Sequence, residues 1–188
     1  MATSSPARRP DGTAHALTAF VIARSLSVIG TAFALLGATG AATATGDMAR
    51  GALNSGIFLA LLFLGMACSM PYAPTVASRS GVRPAYALVL AIGTLAYGAV
   101  GIAMLGGVPT MTALLIAAPI AGASSGMTGP YETQISKAYF ASETTAHAYA
   151  LLSVVSAIAF GVGGIAAGLT LTHIAPAWGL VIDAVLTA

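Results

Sequence analysis

Three polar or charged side chains stand inside apolar runs of this sequence, where each could do chemistry: Arg24, Asn54 and Asp183. A charge at the centre of a bilayer costs at least ~2.5 kcal/mol on insertion scales, so each one needs a partner or a task. Arg24 lies near enough to the start of its run to snorkel to the interface or to contact a neighbouring helix, and a role in binding solute is the alternative. Asp183 reads equally as a helix-packing hydrogen bond and as a proton or cation site, set too far along the membrane normal to pair simply with Arg24. Asn54, near the outer end of its run, is an interfacial residue or a cavity residue. The segment GASSG at 122–126 matches the serine-nucleophile pattern G-x-S-x-G, which works only on a strand-to-helix elbow with a reachable His. Here it sits within an apolar run, and His147 and His173 fall in or near loops at opposite ends, so no catalytic residue is assigned. Gly122 and Gly126 are more simply a close-packing face. The single cysteine, Cys68, permits no internal disulfide, and metal-ligand spacings and phosphate-cradling glycine loops are absent; neither metal nor cofactor is expected.

The elements that must position these residues are membrane helices. Of 188 residues, 57% are hydrophobic and 6% charged, whereas a soluble domain carries roughly 25% charged residues to face water. The expected fold is all-α, a polytopic membrane helical bundle. Runs are placed at about 16–40, 52–74, 84–106, 109–129, 147–172 and 177–188. The first five approach the ~20 apolar residues that cross a ~30 Å hydrocarbon core, and the sixth is incomplete. Residues 1–15 read as a disordered tail. The first run is too long for the core of a cleaved signal. A net charge of +2 gives no reason to expect nucleic acid as a partner.

Basic residues set the expected orientation. Arg8 and Arg9 precede run 1, Arg79 and Arg83 lie between runs 2 and 3, and Lys137 follows run 4; Arg50 alone falls on the other side. The positive-inside rule then puts the N-terminus in the cytoplasm of a cell or bacterial-type inner membrane. The connection at about 130–146, with Glu132, Lys137 and Glu143, is expected to include an amphipathic helix on the cytoplasmic surface.

The turn at 71–83 (PYAPTVASRSGVR) places Gly81 where the chain must reverse, with Arg79 and Arg83 free to meet lipid phosphate or a helix end. Its spacing resembles the helix 2–3 signature of the major facilitator superfamily: Arg79, Gly81 and Arg83 match. Pro74 and Ser78 stand where the family has Gly and the Asp that helps latch its two halves. GGIAAGL at 163–169 resembles the family's exporter signature in helix 5, with Gly164 in place of a Pro. Gly164 and Gly168 also form a small-xxx-small face that admits a close helix. FVIARSLSVIG at 20–30 and PAWGLVIDAV at 176–185 resemble the first and sixth helices of exporters in this superfamily. Many proton-coupled members carry Arg four residues before a helix-4 Gly; here Ala118 stands four before Gly122.

The resemblance implies an N-terminal six-helix half, truncated in its sixth helix, of a secondary transporter that exports a small organic solute by alternating access. As a fragment it is expected to be inactive alone. Implied partners are membrane lipid, a C-terminal half or a second copy of the chain, the solute and a coupled proton. The alternatives are a non-transporting membrane scaffold or regulator and, least favoured, an intramembrane serine hydrolase.

Overall fold

Short links between apolar runs force successive helices to run antiparallel. The computed structural model describes the backbone of residues 12–44, 47–139 and 145–188, and side chains over 18–44, 47–137 and 150–188. The helices are α1 (Gly12–Thr43), α2 (Met48–Ser69), α3 (Ala73–Ser80), α4 (Val82–Leu105), α5 (Thr110–Tyr139), α6 (Thr145–Leu171) and α7 (Ala177–Thr187). Five stretches are long and apolar enough to cross a membrane: Thr18–Thr43, Met48–Ser80, Val82–Leu105, Thr110–Lys137 and Ala150–Leu171. The molecule is a helical bundle of membrane-embedded type. Leu95, Ile102, Leu151, Ile158, Ile165 and Leu169 are all more than half exposed, which suits lipid and not water. The 11 residues of α7 reach only ~16 Å along their axis. The tail expected at 1–15 lies outside the described residues up to residue 11, and 12–15 already belong to α1.

Local chemistry explains the boundaries. Asp47 caps α2, its carboxylate accepting from the Ala49 N–H at 3.0 Å. Pro71 and Pro74 lack the N–H groups that a regular α-helix would use, and the second crossing tightens there into a 3₁₀ turn over Met70–Tyr72 before α3 resumes. Gly81 (φ 85°) alone separates α3 from α4, a conformation costly for any residue with a Cβ. At the other end, Gly107 (φ 92°) and Val108 donate to the Met104 and Ala103 carbonyls, closing α4 with a Schellman motif.

The expected surface helix after residue 130 is corrected. α5 continues through Pro130 to Tyr139, Tyr131 is fully buried, and Ile135 and Ser136 are nearly so. Proline's fixed φ suits a helix, and here the packing of Tyr131 against Ala73, Ala77, Ala85 and Val89 outweighs the one lost hydrogen bond. Residues 140–144, which include Glu143, lie outside the described residues.

Packing follows a repeat. The closest helix pairs are α2 with α5, α1 with α7, α4 with α5, α1 with α6, and α4 with α7. Exchanging the first three segments (α1; α2 with α3; α4) for the last three (α5; α6; α7) maps this set onto itself. Since α1 and α5 cross in opposite directions, the relation is an inverted one. Small residues make the contacts close, as expected where lipid offers no hydrophobic drive. Gly37 and Gly179 meet so tightly that a Cβ on Gly179 would sit 2.5 Å from the Phe33 carbonyl oxygen. Gly122 and Gly126 lie against the α2 backbone at Leu62 and Met66, the close-packing role expected of GASSG.

Candidate functional site

Two polar stripes at helical spacing converge inside the bundle. On α1, Arg24, Ser27 and Thr31 follow one another at three and four residues; on α5, Ser124, Thr128 and Glu132 follow at four. These spacings put each set on one face of its helix. α1 and α5 are the helices exchanged by the inverted repeat; Arg24, Ser27 and Thr31 from one and Ser124 and Thr128 from the other line a common cavity of about 530 Å³, and Glu132 lies beyond it. Thr94 and Tyr97 from α4, Ser156 and Phe160 from α6, and Asp183 and Thr187 from α7 complete its wall. Ser124 is spent structurally, its hydroxyl donating to the Val89 carbonyl at 2.7 Å.

Near the end of the bundle that carries Arg79, Arg83 and Lys137, Arg24 is ion-paired. Its Nε lies 3.2 Å from Glu132 Oε1, and Tyr86 donates its hydroxyl to the same oxygen at 3.2 Å. Arg24 on the N-terminal half of α1 and Glu132 near the C-terminal end of α5 meet because the two helices run in opposite directions. With side-chain exposures of 28% and 17% the pair is largely withdrawn from solvent, so each charge needs the other. A second cavity of about 290 Å³, lined by Phe20, Glu132, Ser136 and Ser153, adjoins the first, and Arg24 and Ser156 belong to both walls.

Asp183 is 4% exposed, and its carboxylate accepts from the Thr187 hydroxyl at 3.3 Å. It seats against Gly30, where a Cβ would fall 2.6 Å from Oδ1. Gly30 lies in the middle third of α1, so Asp183 packs partway along that helix and not at its end. Among the described residues Asp183 forms no ion pair, and it shares the main cavity with Arg24 without touching it.

The remaining expected residues are elsewhere. Asn54 does not line the cavity; its Nδ2 donates to the Ala42 carbonyl at 3.4 Å, tying α2 to α1 at the opposite end. Ser78, Arg79, Gly81 and Arg83 are exposed around the α3–α4 reversal, and Ser78 turns its hydroxyl back to the Thr75 carbonyl. Gly163 is the packing glycine of α6, with a Cβ position 2.9 Å from Ile29 Cα; Gly164 and Gly168 face open space. The expected Gly164–Gly168 contact is thus made instead by the neighbouring face, because α6 turns Gly163 toward α1.

Glu132, Tyr86 and the lining hydroxyls were missed in the sequence. Their signal was the four-residue spacing of Ser124, Thr128 and Glu132, hidden because the expected fourth run stops at about 129. Compared with family models, curated proteins and solved structures, the chain matches none.

Proposed function

We propose that the chain is one half of a secondary transporter of the major facilitator type, exporting a small organic solute by alternating access. The observation that carries this reading is the cavity inside the bundle, lined by polar residues from the two helices that the inverted repeat exchanges. Transporters built from inverted repeats bind their solutes at the repeat interface, near the midplane, and rock one bundle against another around that site. A cavity of about 530 Å³ falls within the range of small-molecule sites. In this reading the end bearing Arg79, Arg83 and Lys137 is cytoplasmic, and a second six-helix bundle, or a second copy, supplies the opposing wall.

The test is solute efflux from cells or proteoliposomes holding the chain alone, and holding it together with a matching second half. Efflux is expected only from the pair. Robust efflux by the isolated chain would refute the need for a partner bundle, and none in either arrangement would refute transport.

A further inference from the structure

The cavity's unequal charges say what kind of solute it suits. Three charged side chains reach into the interior: Arg24, Glu132 and Asp183. Arg24 and Glu132 cancel each other at 3.2 Å. Asp183 is left with one hydroxyl donor, from the next turn of its own helix, and no cation within ion-pair distance among the described residues. A buried carboxylate in a low-dielectric interior takes up a positive charge, as a proton or as a cation.

The hydroxyls around it point the same way. A Ser or Thr hydroxyl has one proton to give and two lone pairs to offer. Thr31 gives its proton to the Ser27 carbonyl at 2.9 Å, Thr128 to Ser125 at 2.8 Å, Ser124 to Val89, and Thr187 to Asp183 itself. With these protons committed, the four hydroxyls can present only lone pairs to the cavity. The hydroxyl of Thr94, also on the wall, is buried and without a partner. Four of the nine lining hydroxyls thus act as acceptors only, beside a carboxylate with no ion-pair partner among the described residues. A single carboxylate in a space of this size, partly lined by Val28, Leu90 and Phe160, is ill-suited to a bare metal ion and well suited to an organic body.

Building on the transport reading, we propose that the cavity selects a small protonated amine, its N–H groups directed at Asp183 and the surrounding hydroxyl oxygens, its apolar part against Tyr97 and Phe160. The Arg24–Glu132 pair stands outside this recognition as long as it stays intact. Aromatic faces favour a cation alongside them.

The test is calorimetric titration of the purified full chain in detergent, corrected for empty micelles, with 2-phenylethylammonium, its uncharged isostere propylbenzene and the anion phenylacetate. The ammonium is expected to bind about tenfold or more tightly than either of the others. Asp183→Asn removes that preference while the helical circular dichroism is unchanged. Glu132→Gln, which frees the Arg24 charge, weakens the ammonium several-fold and admits phenylacetate. Equal binding of all three probes, no ammonium binding, or full preference in Asp183→Asn would overturn the assignment. Selective binding without efflux from the paired halves leaves the amine site standing and removes the transport reading. Efflux confined to neutral or anionic solutes does the reverse.

Discussion

Among the described residues two carboxylates lie within the apolar helices of this bundle, and they are handled in opposite ways. Glu132 is matched from two other helices, by the guanidinium of Arg24 and the hydroxyl of Tyr86. Asp183 is the more deeply buried, at 4% exposure, yet its one hydrogen-bond donor comes from its own helix. The first arrangement cross-links α1, α4 and α5 and neutralises itself. The second packs against Gly30 but makes no hydrogen bond across helices, and leaves a charge to be answered from outside. The contrast marks Glu132 as architecture and Asp183 as the group held ready for a ligand.

The same carboxylate-to-amide change should therefore give opposite results at the two positions. Glu132→Gln leaves Arg24 uncompensated in a largely enclosed site and is expected to lose about 1–3 kcal/mol, after allowance for the partial exposure of both side chains. Thermal unfolding in detergent would measure it, and the double change Arg24→Met with Glu132→Met should recover most of the loss. A Glu132→Gln protein as stable as the parent would erase the distinction. Tyr86→Phe comes next, removing one hydrogen bond to a charged acceptor, at about 1–2 kcal/mol by the same measurement. Smallest is Asp183→Asn, expected to fall within about 0.5 kcal/mol of the parent or slightly above it, because the amide oxygen still accepts from Thr187 and a buried charge disappears. A large destabilisation there would mean that Asp183 is structural after all.

Gly163 and Gly164 show how finely some features were hidden. Adjacent residues on a helix point about 100° apart, so the rotation of α6 about its axis decides which glycine meets α1. Composition cannot specify that rotation; the docking of Ile29 and Ala32 against Gly163 does. Pro130 hid more. The expected fourth run stops at about 129, just before it, which places Glu132 in a connection with an amphipathic helix at the surface. In the folded chain, Tyr131 fills a pocket between α3 and α4, and that burial carries α5 past the proline. Even with the helix extended, nothing local pairs Glu132 with Tyr86, 46 residues away.

The amino-acid sequence by itself determined that the chain forms apolar helices long enough to cross a bilayer, that Gly81 reverses it, and that Arg24 and Asp183 carry charge into the interior. These follow from hydrocarbon thickness and from backbone sterics, both of which act over a few turns of chain. Only the tertiary structure decided that α1 and α5 turn their polar stripes to one cavity, that Arg24 is spent on Glu132, and that Asp183 stays unmatched. Those outcomes depend on how whole helices rotate and settle against each other, and in lipid that is set by the meeting of small residues distant in sequence, such as Gly37 with Gly179 and Gly30 with Asp183.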